Sequence, residues 1–115
     1  MDNSAKAAER SPDGKLIDQL ARSGADLSKL HDFDFTLRMP TQAAAERADL
    51  QLQGFAFKTR IEPGKTAAER VIRGTKKMYP LETDLEGLRE KLDEIAAATG
   101  GVYEGWAARE SGRKP

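Results

Sequence analysis

Residues 31–39 read His-Asp-Phe-Asp-Phe-Thr-Leu-Arg-Met, an unbroken alternation of large apolar and polar side chains. Successive side chains of a strand point to opposite faces, so Phe33, Phe35, Leu37 and Met39 share one face. Asp32, Asp34, Thr36 and Arg38 share the other. A strand this regular belongs in a sheet with one covered side and one open side. The same alternation recurs weakly at Phe55, Phe57, Thr59 and Ile61, with Ala56, Lys58 and Arg60 outward. A third strand is expected over residues 69–78 around Val71 and Ile72. A short fourth is expected over Val102 to Ala108.

Helices fall between these strands. Ser11-Pro12 is an N-cap followed by proline at the first helical position, Leu16, Ile17, Leu20 and Ala21 form one stripe, and Gly24 is a stop. Thr41 caps an alanine-rich helix (Ala44, Ala45, Ala48, then Leu52) that runs to about Gln53 and stops at Gly54. Thr83-Asp84-Leu85-Glu86 matches a capping box for a helix carrying Leu85, Leu88, Leu92 and Ile95 and ending at Gly100-Gly101. The order after the first helix is βαββαβ. It predicts an α+β ferredoxin-like sandwich: a four-stranded antiparallel sheet with strands one and three central, strands two and four at the edges, and both crossover helices on the Phe33/Phe35 face. The first helix is an addition to that scheme.

At 115 residues the chain makes one domain. Residues 1–11 read as a mobile N-terminal segment, residues 12–108 as the domain, and residues 109–115 as a short polar tail. Nineteen basic against nineteen acidic residues remove the overall basic excess of a nucleic-acid binder. The absence of cysteine excludes disulfides and thiolate zinc sites. No apolar run has the length of a membrane span, and the N-terminus lacks a secretory pattern. A cytoplasmic protein is the resulting expectation.

Sequences that resemble catalytic motifs have structural readings. Pro63-Gly64-Lys65-Thr66 lacks the first glycine and following helix of a phosphate-binding loop, and is a hairpin turn. His31, the sole histidine, shares the Phe33 face while Asp32 and Asp34 point away, so no metal set or acid–base pair forms around it. No cofactor, metal site or enzymatic activity is expected. The open face is more informative. Strand four beside strand one is expected to bring Glu104 near Asp32 and Asp34, with Lys58, Arg60, Arg73, Thr75 and Lys77 on the other side. Pairs such as Asp34 with Arg73 would make this a solvated ionic face; its polarisation would also orient a protein partner. Outward aspartates, with the strand-one aromatics inward, argue against RNA stacking in the manner of an RNA-recognition motif.

The sole tryptophan lies in Tyr103-Glu104-Gly105-Trp106. Tyr103 and Trp106 have opposite parity and leave the strand on opposite faces unless Gly105 introduces a bulge. With Glu104 avoiding the covered side, Tyr103 is expected in the core and Trp106 outside with Glu104. The first helix is one candidate cover for the indole, and a partner protein is the other.

The segment Leu16 to Leu20 with Ala21-Arg22-Ser23-Gly24-Ala25-Asp26-Leu27-Ser28-Lys29 resembles the opening of the regulator of ribonuclease E activity B (RraB) family. His31-Asp32-Phe33-Asp34-Phe35, Gly54-Phe55 and Tyr103-Glu104-Gly105-Trp106 agree with it in order and spacing, although the last motif is typically Tyr-Asp-Gly-Trp. The similarity covers about residues 15 to 108. It implies a non-enzymatic protein that binds ribonuclease E, the scaffold endonuclease of the RNA degradosome, and restrains RNA cleavage by protein contact. Characterised members carry a long acidic C-terminal extension, whereas Glu110 to Pro115 is short and net basic. Asp32, Asp34, Glu104 and Trp106 are the expected protein-binding residues, on a monomer or weak homodimer. The alternative is a small-ligand-binding or edge-dimerising module on the same fold.

Overall fold

A computed structural model describes residues 11–112. Seven elements follow one another: α1 (Pro12–Arg22), β1 (His31–Met39), α2 (Gln42–Gly54), β2 (Lys58–Pro63), β3 (Arg70–Met78), α3 (Glu82–Ala98) and β4 (Val102–Glu110). The expectation for residues 1–10 lies outside the described residues. Ser11 is described and caps α1, its Oγ accepting from the Gly14 amide at 3.0 Å. Thr41 caps α2 in the same way, accepting from Ala44 at 3.1 Å.

The strands form one antiparallel sheet in the order β2-β3-β1-β4, with strands one and three central as the sequence pattern predicts. Burial alternates along β1 without a break. Phe33, Phe35, Leu37 and Met39 are all at most 1% exposed and pack with Ala45, Ala48, Leu52, Leu92 and Ile95 of the crossover helices. Alanines let α2 approach closely. Gly74 of β3 has a similar role: its missing side chain leaves room for the Phe57 ring, which meets Phe35 edge-on at 5.3 Å.

Three local expectations are corrected. Gly54 does not end α2 by turning left-handed. Ala56 does so (φ 68°), with its amide bonding Gln53 and the Phe57 amide bonding Leu52. The six-to-one bond folds the chain back so that Phe57 and Leu52 both enter the core, as such helix ends commonly do. The capping box at Thr83 is not used either. Leu81 precedes α3 with no side-chain cap, because a tight turn over Pro80, closed by the Leu81 amide on Tyr79 at 2.8 Å, delivers the chain directly into the helix. Finally, β4 continues past Ala108 to Glu110, where the Ser111 amide bonds Leu30 at 2.9 Å. Arg109 and Glu110 are therefore strand residues, not tail.

The largest correction concerns Trp106. The β1–β4 register shifts between Thr36 and Leu37, so that Thr36 faces Gly105 and Leu37 faces Tyr103, leaving Glu104 as the extra residue of a bulge. Gly105 takes φ 112°, a conformation open to glycine. One inserted residue reverses the parity beyond it, so Tyr103 and Trp106 both lie on the covered face.

Candidate protein-binding face

On the covered side, α1 is the lid over Trp106. The indole packs on Phe33 with centroids 4.9 Å apart, and its Nε1 donates to Asp13 Oδ1 at 2.9 Å. Arg89 of α3 donates to the other oxygen of Asp13 at 2.9 Å. Asp13 is 2% exposed, so both of its oxygens are satisfied inside the protein. Ser11 adds a bond to Glu82 at 2.7 Å, and Ile17 supplies the apolar contact. The Tyr103 hydroxyl lies beneath, buried without a hydrogen-bond partner, and burial raises its pKa, with Asp13 and Asp93 adding to the effect. The Ser-Pro-Asp sequence gave no sign of this latch, since its target is an indole expected on the opposite face. His31 sits fully buried on the covered side as expected, its Nδ1 2.9 Å from the Lys29 carbonyl.

The open face can be read as four rows running across the strands. Lys77, Asp32 and Arg109 form the first row; Lys58, Thr75, Asp34 and Ala107 the second. Arg60, Arg73, Thr36 and Gly105 form the third, and Glu62, Val71, Arg38 and Val102 the fourth. The charged pairs fall into two groups along this grid.

Rows three and four are internally paired. Arg38 grips Glu104 with Nε and Nη2, at 2.8 and 3.1 Å, and donates Nη1 to Glu69 at 2.8 Å. Arg73 and Arg60 share Glu62, at 3.0 and 2.6 Å. Arg73, then Arg60, hold the Glu62 carboxyl below its ordinary value; the Lys65 amide, helped by Arg38, does the same for Glu69. The ionic layer covers Val71 so well that this outward residue is only 8% exposed.

Rows one and two are incompletely paired. Asp32 accepts from Lys77 at 2.8 Å and from Ser111 Oγ at 3.0 Å, and these two bonds lower its pKa. Asp34 has one oxygen shielded from solvent that accepts no hydrogen bond. Among the described residues, Lys58 and Arg109 enter no ion pair. Here the face hollows into a groove of about 770 Å³ lined by Asp32, Asp34, Lys58, Thr75, Lys77 and Arg109, among others.

Of the four expected binding residues, Asp32 and Asp34 lie together in this groove. Glu104 lies at the other end of the face, paired with Arg38, and Trp106 lies behind the sheet. Because β4 runs antiparallel to β1, its beginning meets the end of β1, so Glu104 stands by Arg38 and not by the aspartates. Likewise Thr75, and not Arg73, stands opposite Asp34, while Arg73 bonds Thr36 and Glu62. Ala107 and Arg109 were missed as groove residues; the parity reversal at the bulge is the signal that turns them outward.

A sequence model of the family described as Regulator of ribonuclease activity B matches residues 10–107. The chain belongs to that family. No curated protein matches it. Among the described residues no group of histidine and acidic side chains is placed to hold a metal ion, and no helix is long and apolar enough to cross a membrane.

Proposed function

We propose that this member of the ribonuclease-regulator family binds ribonuclease E through the grooved end of its open sheet face and restrains RNA cleavage by protein contact. The observation that carries the reading is the uneven pairing of that face, in a chain whose family regulates a ribonuclease. Charged groups left without partners in a concave site supply orientation and specificity to a protein contact. The binding set is Asp34 with Lys58 and Arg109, beside Asp32, which Lys77 and Ser111 already hold. Glu104 and Trp106 act structurally, the first closing the ionic layer and the second anchoring α1. The strand order, with both crossovers skipping one strand, supports a ferredoxin-like fold extended by α1. A non-catalytic, cytoplasmic regulator, monomeric or weakly dimeric and associated with the RNA degradosome, fits this reading.

The test is inhibition of RNA cleavage by purified ribonuclease E, together with capture of the nuclease on immobilised protein. The wild-type chain and Glu104→Gln are expected to inhibit and capture; Asp32→Lys/Asp34→Lys is expected to do neither. Equal capture by all three would remove the groove from the reading, and no capture by the wild-type chain would remove the nuclease.

A groove of this size also falls within the range of small-molecule sites, about 300–1,000 Å³. That favours a ligand as the second reading, which ligand-dependent thermal stabilisation of the protein would support.

A further inference from the structure

The unpaired groups of the groove have an order, and the order describes a ligand. Asp34 lies at the centre of the floor, between Thr75 and Ala107. The small Ala107 side chain leaves space beside the carboxylate. Lys58 lies two strands to one side, about 10 Å away at the usual strand spacing, and Arg109 lies one strand to the other side and two residues along, about 8 Å away. Asp32 and Lys77 satisfy each other, with Ser111 as a third partner, and so ask little of a ligand.

We infer that the groove seats an extended segment of the partner protein in which one arginine or lysine is flanked on both sides by acidic residues. The inference rests on the reading of this face as the protein-binding one, and it names the chemistry recognised there. The central cation meets the open side of the Asp34 carboxylate, which has no hydrogen-bond or ion-pair partner among the described residues. Alternate residues of an extended segment are about 6.8 Å apart, so acids two positions before and after the cation come within reach of the long side chains of Lys58 and Arg109. A uniformly basic segment would satisfy Asp34 but crowd cations against Lys58, Arg109 and Lys77. A uniformly acidic one would oppose Asp34. Single-stranded RNA would find cations for its phosphates, but also two aspartates, and no aromatic side chain projects from any of the four rows to stack a base.

The experiment titrates the isotope-labelled full chain with three capped peptides, followed by amide chemical shifts: Glu-Val-Arg-Val-Glu, Arg-Val-Arg-Val-Arg and Glu-Val-Gln-Val-Glu. The mixed peptide is expected to shift the amides of Asp34, Thr75, Ala107 and Arg109 and to bind about tenfold more tightly than either control. Asp34→Asn should abolish that preference, and Lys58→Glu/Arg109→Glu should reverse it in favour of the all-arginine peptide. Trp106 fluorescence, from behind the sheet, reports that each variant is folded. Equal binding of the all-arginine peptide, no shift of these amides at millimolar mixed peptide, or a stronger response to oligouridylate would overturn the inference. Capture of ribonuclease E separates the two levels. If the mixed peptide binds while the nuclease is not captured, the groove chemistry stands and the partner falls. If the nuclease is captured equally by the wild-type chain, Asp34→Asn and Lys58→Glu/Arg109→Glu, the partner stands and the groove falls.

Discussion

The two ends of the open face are made from similar residues, and only one of them leaves charges to offer. At the Arg38 end the bases are arginines and the acids are glutamates, long enough to meet across neighbouring strands in charge-assisted bonds, forked between Arg38 and Glu104. At the Asp34 end the acids are aspartates, whose carboxylates stay near the sheet. Lys58, two strands away, is not paired with Asp34, and the face hollows into a groove between them. Side-chain reach, more than the sum of charges, separates a closed ionic layer from a face with unpaired charges. A tally of charged residues along the strands would not distinguish the two ends; the pairing does.

If the Arg38 end is a closed structure, it should tolerate no added volume beneath it. Gly101 leads into β4 there, and a Cβ at this position would lie inside contact distance of the Arg38 carbonyl oxygen and the terminal methyl of the fully buried Met39. Gly101→Ala is expected to destabilise the protein by about 3 kcal/mol, the upper range for overpacking a tight site. Urea unfolding followed by Trp106 fluorescence measures this, with the slope unchanged if the transition stays two-state. A loss below about 1 kcal/mol would mean that this end yields as easily as the groove.

The ionic layer should also set the acid limit of stability. Glu62 and Glu69 have folded pKa values below the ordinary 4.5, Glu62 through Arg73 and Arg60, and Glu69 first through the Lys65 amide. Their contribution is therefore present above pH 4.5 and lost as pH falls through the lowered folded values, because the unfolded chain then takes up protons first. Glu62→Gln/Glu69→Gln is expected to flatten the decline of the melting temperature below pH 4.5. Asp32, held down by Lys77 and Ser111, gives a smaller loss that begins below the ordinary 3.8. An acid limb unchanged in the double variant would show that the layer contributes little to folding, which is the usual result for exposed pairs in isolation.

What was legible in the sequence follows from what each feature depends on. The alternation of residues 31–39 fixes which side chains are inward without reference to any other strand, so the covered face, the strand order and the burial of His31 could all be read. Placement along the face needs a partner's direction and register. Glu104 was expected by the aspartates, although an antiparallel β4 must bring its first residues to the end of β1. Trp106 needed one more fact, the backbone angle of Gly105, which glycine permits and does not require. Asp13 is not legible as a latch because its two partners, Arg89 and Trp106, come from elements far along the chain, and alternation without the bulge puts Trp106 on the other face.

A smaller effect is expected at Ala56, on the rim of the groove. Its positive φ disfavours any residue with a Cβ, and its neighbour Gly54, though free of that penalty, is helical. Ala56→Gly should stabilise the protein by about 0.5–1 kcal/mol, the relief of left-handed strain exceeding the added freedom of the unfolded chain. Thermal unfolding measures it, and a loss of stability would mean that the alanine methyl makes a contact worth more than the strain.

The smallest expected change in stability falls at Ala107, near the far end of the strand that Gly101 leads into. Ala107 points outward beside Asp34, is exposed, and borders the groove without filling it. Ala107→Leu should change unfolding free energy by less than about 0.5 kcal/mol, as surface substitutions do when no buried partner is disturbed. Its larger consequence should be for binding, since the added side chain occupies the space through which a cation reaches the Asp34 carboxylate. If the protein inhibits ribonuclease E as proposed, loss of that inhibition at unchanged stability would make Ala107 a positional requirement of docking. Full inhibition by Ala107→Leu would place the contact elsewhere on the face and leave the groove as an incidental gap between short and long side chains.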